Sequence, residues 1–213
     1  MTIYAVANQK GGSGKSTLSV HLAYWLIVNQ QKKVILVDGD AQRSSSQWVE
    51  GMEGLKIPHQ VLQSPDDLLE KIPELAEQYE DVVVDGPASL SESTRAILFR
   101  ADIALIPVQP SGVDLRSAFD AIRLVKQAQS VRGGEPKAAL LLSRAVKGTK
   151  LKQEAIEVLS QIPDAKLLKS VIHQRQAIAD TSGQSAVVWQ LQGKGATDAG
   201  IEYDRLFQEV MKL

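Results

Sequence analysis

Four apolar runs in this chain are continuous rather than alternating: Val34-Ile35-Leu36-Val37, Val82-Val83-Val84, Ile103-Ala104-Leu105-Ile106 and Ala138-Ala139-Leu140-Leu141-Leu142. A strand with one face in water alternates polar and apolar positions, so unbroken runs fit parallel strands covered on both faces. A fifth run, Ile3-Tyr4-Ala5-Val6-Ala7, stands at the start. Between the runs the period changes to that of a helix. Leu18, Leu22, Trp25 and Leu26 fall at i, i+4, i+7 and i+8 on one stripe. Ser64-Pro65-Asp66-Asp67 reads as an N-cap, a proline at the first helical position and acids in the first turn, with Pro73 predicted to break or restart that helix. A third helix is predicted from about Leu115 to Ala128, with Leu115, Ala118, Phe119, Ile122 and Val125 facing inward, and it stops before Gly133-Gly134. Strands alternating with helices predict an α/β fold with a doubly wound, mostly parallel central sheet, helices on both faces and the ligand at the carboxyl ends of the strands.

The first strand-to-helix junction carries the octapeptide Lys10-Gly11-Gly12-Ser13-Gly14-Lys15-Ser16-Thr17. Glycines let a backbone wrap tightly enough to aim several N–H groups inward, and the helix that follows adds its positive end, so a polyphosphate meets donors and a favourable field together. The pattern predicts a nucleoside triphosphate site, with Lys15 on the β- and γ-phosphates and Ser16 on a Mg²⁺ ion. Gln9 stands where the common phosphate-loop pattern has its first glycine, and Lys10 follows it. A second lysine at the mouth of the loop is placed to project across a surface; the plainer alternative for it taken alone is a solvated surface lysine.

Two strands end in carboxylates, at Asp38-Gly39-Asp40-Ala41-Gln42 and Asp85-Gly86-Pro87. Apolar strands ending in Asp near a phosphate loop suit Mg²⁺, a small ion that keeps several waters and takes few direct protein ligands. Aspartate is also a common turn residue, which is the plainer reading of each position. Ile106-Pro107-Val108-Gln109-Pro110 and Ser143-Arg144 close two further strands, either as borders of a nucleotide or as strand punctuation.

The chain of 213 residues is 44% hydrophobic, enough for a sizeable core in one domain spanning 1–213. It has no Cys, which removes disulfides and thiolate metal sites, and its three histidines are too scattered to suggest a metal. No leader pattern and no stretch of roughly 20 apolar residues is present, so a cytoplasmic protein is expected.

The motif K-G-G-x-G-K-[ST] resembles the signature of the deviant Walker A ATPases. Motif order and spacing over nearly the whole chain are similar to the small ParA-type partition ATPases, the ParF-like group in particular. The resemblance implies an ATP-sandwich homodimer in which Lys10 contacts the nucleotide of the other subunit. It implies that Asp38 to Asp40 form switch I, with Asp40 orienting the attacking water, and that Asp85-Gly86-Pro87 form switch II. Lys10, Lys15 and Asp40 would be catalytic, Ser16, Asp38 and Asp85 would hold Mg²⁺, and Pro107, Pro110, Ser143 and Arg144 would border the nucleotide. Ala41 stands where the family has a proline, which puts the rigidity of that loop in question. The absence of Cys excludes the iron protein of the same architecture. The stretch Ile201 to Leu213 lacks the cationic face of a MinD-type membrane helix and is predicted to pack on the sheet. With nine residues ahead of Lys10, no helix-turn-helix is expected there.

The net charge is −1, but residues 132 to 175 hold nine bases against four acids, net +5, leaving −6 for the remainder. Such asymmetry suits a polyanion-binding surface or, more plainly, a solvated helix face. Lys147, Lys150, Lys169 and Arg175 are the candidate DNA contacts. The resemblance implies an ATPase whose ATP-bound dimer binds DNA without sequence preference, associates with the nucleoid and positions a plasmid or other cargo, with hydrolysis stimulated by a ParB-like partner. A metabolic P-loop synthetase or ligase and a MinD-like positioning ATPase are the alternatives.

Overall fold

A computed structural model describes all 213 residues. Seven strands form one wholly parallel sheet: β1 (Thr2–Val6), β2 (Val34–Asp38), β3 (His59–Val61), β4 (Asp81–Asp85), β5 (Ile103–Val108), β6 (Lys137–Ala145) and β7 (Ala165–His173), in the order β3-β2-β4-β1-β5-β6-β7. The four continuous runs are the cores of β2, β4, β5 and β6, and β1 lies between β4 and β5. Helices cover both faces. On one lie α3 (Pro65–Gln78), α4 (Glu92–Arg100), α5 (Gly112–Val131) and α6 (Lys150–Ser160); on the other lie α1 (Lys15–Gln30), α2 (Ser44–Glu50) and α8 (Lys194–Val210). Successive β1 residues alternate between the two cores, Ile3 and Ala5 facing one and Tyr4 and Val6 the other, as the two-residue period of a strand requires. A short α7 (Gln176–Gly183) and a 3-10 turn (Val188–Gln190) lead into α8.

Helix α3 runs through Pro73 without a break, contrary to the sequence expectation. Proline removes the N–H that would have bonded to the carbonyl four residues earlier. That carbonyl, Leu69 O, instead accepts from Arg100 Nε of α4 at 2.9 Å, so a side chain of the neighbouring helix replaces the lost donor. Helix α5 begins three residues earlier than expected, where the Ser111 hydroxyl accepts from the Asp114 N–H at 3.2 Å. Its inward stripe centres on Ala118, Ala121, Ile122 and Val125, which leaves Phe119 at the margin and 47% exposed rather than buried. The last helix packs as expected, with Tyr203, Leu206, Phe207 and Val210 buried against the sheet and α1. No helix is long and apolar enough to cross a membrane.

Edge strands β3 and β7 were not legible as apolar runs. In β7 only Leu168 and Ile172 are fully buried, because one side of the strand has no neighbour.

Candidate nucleotide-binding site

The carboxyl ends of β1, β5, β6 and β7 open onto one cavity of about 650 Å³. Gly11, Gly12, Gly14, Lys15, Ser16 and Thr17 form one wall, and Asp40, Pro107, Ser143 and Arg144 contribute from the neighbouring strand ends. The remaining wall comes from the segment after β7, with His173, Arg175, Gln176 and Ile178, and from Leu18, Trp48 and Tyr203. Sequence reasoning did not reach this second half, because its residues carry no phosphate-binding signature.

The loop is shaped by Gly12 at φ 75° and Gly14 at φ 95°, conformations in which a Cβ is strained. Gly14 ends as the N-cap of α1, so the helix starts at Lys15 with its free N–H groups aimed into the cavity. Lys15 is buried, and its Nζ donates to Lys10 O at 3.3 Å. Burial lowers the Lys15 pKa, while the nearby Asp85 and Asp40 carboxylates oppose that shift.

Asp85, at the end of β4, is fully buried, with Oδ1 accepting from Ser19 Oγ at 3.2 Å and Oδ2 without any hydrogen-bond partner. Burial pushes its pKa up to about 7; the Ser16 hydroxyl opposes this shift and the Asp38 carboxylate adds to it. A buried carboxylate oxygen lacking a partner next to a serine hydroxyl and a second carboxylate is a donor set that fits Mg²⁺. Asp38 is buried too, but its oxygens already serve the chain, Oδ1 accepting from Asp40 N at 3.1 Å and Oδ2 from Ser46 N at 2.8 Å. No three His, Asp or Glu side chains gather to hold a metal by themselves, while the Asp38 carboxylate is near enough to Asp85 to help raise its pKa. Asp40 lines the cavity. Its Oδ2 accepts from Ala88 N, just after Asp85-Gly86-Pro87, at 3.2 Å, which ties the two acidic segments together.

Lys10 does not project outward as expected. Its Nζ lies 2.5 Å from Oδ2 of Asp114 in the same chain, with the Lys10 side chain 35% exposed and the Asp114 carboxylate fully buried. Pro110 does not line the cavity, and the residue before it, Gln109, makes the contact instead: its Nε2 donates to Gly12 O at 2.6 Å. Ser13 is buried beneath the loop rather than lining it.

The expected DNA residues separate. Lys147, Lys150 and Lys169 are exposed, although Lys150 sits within 3.2 Å of Glu154 one turn along α6. Arg175 is corrected: both its terminal nitrogens bind Glu202, at 2.5 and 2.7 Å, and its side chain is only 12% exposed, so it is not free to meet a phosphate backbone. The basic segment also divides between the two ends of the sheet. Lys137 and Lys166 stand at the starting ends of β6 and β7, whereas Lys147 and Lys150 follow the carboxyl end of β6.

A family model described as the CobQ/CobB/MinD/ParA nucleotide binding domain matches residues 4–187. The chain is 31% identical to the maintenance of carboxysome distribution protein A of Halothiobacillus neapolitanus, covering 97% of this chain and 95% of that protein. It is 32% identical to the protein of the same name from Gloeobacter kilaueensis, covering 98% and 93%. Among solved structures, an ATP complex of a Cyanothece McdA variant superposes with a TM-score of 0.80 at 16% identity, covering 99% of this chain and 96% of that one, a likeness that speaks to the fold.

Proposed function

The chain belongs to the CobQ/CobB/MinD/ParA nucleotide-binding family, and on that premise we propose that it is a Mg²⁺-dependent ATPase that positions an intracellular cargo by cycling between an open form and an ATP-closed homodimer. The observation that carries this reading is a preformed phosphate cradle with a second lysine at its mouth, in a chain aligned almost end to end with proteins named for carboxysome distribution.

In this scheme the loop amides and Lys15 bind the triphosphate, and Ser16, Asp38 and Asp85 are the residues that would hold Mg²⁺. The ion would neutralise charge on the phosphates. Asp40 orients the attacking water, which makes it a contributor to the transition state rather than to nucleotide affinity. Lys10 leaves Asp114 and reaches the nucleotide of the second subunit. The closed dimer binds DNA through backbone phosphates, Lys147 and Lys150 being near the nucleotide end of the sheet, and a ParB-like adaptor, DNA-binding or attached to another cargo, accelerates hydrolysis and releases the dimer.

The direct test is to follow oligomeric state by analytical ultracentrifugation with Mg²⁺ and a non-hydrolysable ATP analogue, then with ADP, each with and without an arbitrary duplex. The expected result is a dimer that retains DNA with the ATP analogue alone. A protein that stays monomeric with both nucleotides while turning over ATP would move the reading to a metabolic enzyme.

A further inference from the structure

The carbonyl groups of the phosphate loop are held by side chains from outside it. Gly12 O accepts two hydrogen bonds, from Gln109 Nε2 at 2.6 Å and from Arg144 Nη1 at 2.9 Å. The next carbonyl, Ser13 O, accepts from Ser143 Oγ at 2.8 Å. The donors follow or end β5 and β6, the next two strands beyond β1 on that side of the sheet.

We propose that Gln109, Ser143 and Arg144 are positioning residues that set the phosphate loop in its binding geometry before nucleotide arrives, a role that rests on the nucleotide-binding reading above. In a trans peptide the carbonyl of one residue and the N–H of the next point in opposite directions. Fixing Gly12 O therefore fixes the Ser13 N–H, and fixing Ser13 O fixes the Gly14 N–H. With both carbonyls drawn toward the β5 and β6 ends, the amides turn the other way and form the anion-binding concavity. Glycines at φ 75° and 95° would otherwise leave these two peptide planes free to rotate.

The backbone is arranged to deliver these donors. Pro110 restricts Gln109 to extended conformations, which narrows the directions its side chain can take. Arg144 sits at φ 52°, a left-handed conformation that costs a non-glycine residue energy and persists where surrounding contacts over-determine it. Asn8 completes the frame, its buried side-chain amide donating to Pro107 O at 2.7 Å and accepting from Lys10 N at 3.2 Å, which locks the entry of the loop to the end of β5.

Two donors on one acceptor make a sharp prediction. Gln109→Met keeps the side-chain length and Arg144→Met keeps the apolar stem; each loses the donor, and either alone leaves Gly12 O with one hydrogen bond. ADP affinity, measured by fluorescence anisotropy of a labelled ADP on the full-length protein, should fall about two- to fivefold in each single variant. The double variant should fall by more than the product of the singles, to about 50-fold or beyond, because only then is the carbonyl released. The KM for ATP should rise in parallel with kcat changing much less, the pattern of lost uniform binding. Thermal unfolding without nucleotide should be unchanged, since both side chains contact the loop from the surface. Independent, multiplying losses would overturn the inference, as would a loss carried wholly by Arg144→Met or a drop in thermal stability that tracks it. If the unaltered protein binds no ADP, the nucleotide reading itself fails; if it binds and the variants bind equally well, the positioning role alone fails.

Discussion

Lys10 and Asp114 form an ion pair within one chain, at 2.5 Å, across the mouth of the phosphate loop. The residue expected to act on a second subunit is thus held by its own, and Asp114 has a second oxygen that is buried without a partner. Closing a dimer through Lys10 requires this pair to open.

Asp114→Asn should therefore ease ATP-driven dimerisation, lowering the protein concentration needed by about two- to fivefold, the range of a partly exposed ion pair. Lys10→Ala should bind ATP and remain monomeric, while Lys15→Ala should lose ATP affinity altogether. Sedimentation with a non-hydrolysable ATP analogue separates the three. Full dimerisation of Lys10→Ala would remove the trans role.

Asp40→Ala should reduce turnover by about 10²-fold or more and leave ATP affinity within about twofold, because its proposed contribution is made to the attacking water. The variant should remain dimeric and DNA-bound under Mg²⁺ and ATP. Phosphate release at the normal rate would pass the role to another group, and the Ala88 contact would then be merely structural.

DNA binding is expected to depend on Lys147, Lys150 and Lys169. Each phosphate contact removed should flatten the dependence of log affinity on log salt by about one unit. The triple glutamate variant should lose DNA and keep ATP-driven dimerisation, read by filter binding on two unrelated duplexes. Arg175→Glu belongs to a different class. It sets two carboxylates against each other at Glu202 and should destabilise the segment that walls the cavity, so nucleotide affinity drops along with any effect on DNA.

Stability should fall in mild acid through His21. This ring is fully buried, with Nδ1 2.7 Å from Thr17 O and Nε2 accepting from Val188 N at 3.2 Å, so Nδ1 carries the proton. The only titratable side chain stacked on it is Tyr203, at 4.5 Å between ring centres, whose burial keeps the phenol protonated. Burial lowers the His21 pKa from 6.5 to about 4. A folded state that refuses the proton is penalised wherever the unfolded chain accepts it. The contribution is complete above about pH 6.5 and is lost as pH falls toward 4, by up to about 3 kcal/mol. Urea midpoints at pH 7.5 and 5.0 should diverge more for the native sequence than for His21→Gln. Equal divergence would assign the acid sensitivity elsewhere.

The architecture was readable because buried parallel strands cannot disguise their apolar runs and because a phosphate loop needs glycines and a lysine in fixed order. The cavity was readable only on its phosphate side. Gln109 between two prolines has no chemical signature, since an amide can donate anywhere, and its role appears only once β5 is set beside β1. Arg175 looked free in a count of charges because its partner, Glu202, lies far along the chain on α8. Pro73 misled for a related reason: sequence shows the missing donor but not Arg100, which supplies another.

The bonds of His21 to Thr17 and Val188 have a consequence for how the molecule is made. Helix α1 precedes α8 by most of the described chain, yet its packing is completed there, by Tyr203, Phe207 and the Asp204 carboxylate that accepts from Trp25 Nε1 at 3.0 Å. A growing chain can lay helix α1 on β1, β2 and β4 long before α8 emerges to cover the rest of it. The helix behind the phosphate loop is therefore finished by a segment far downstream of the loop itself.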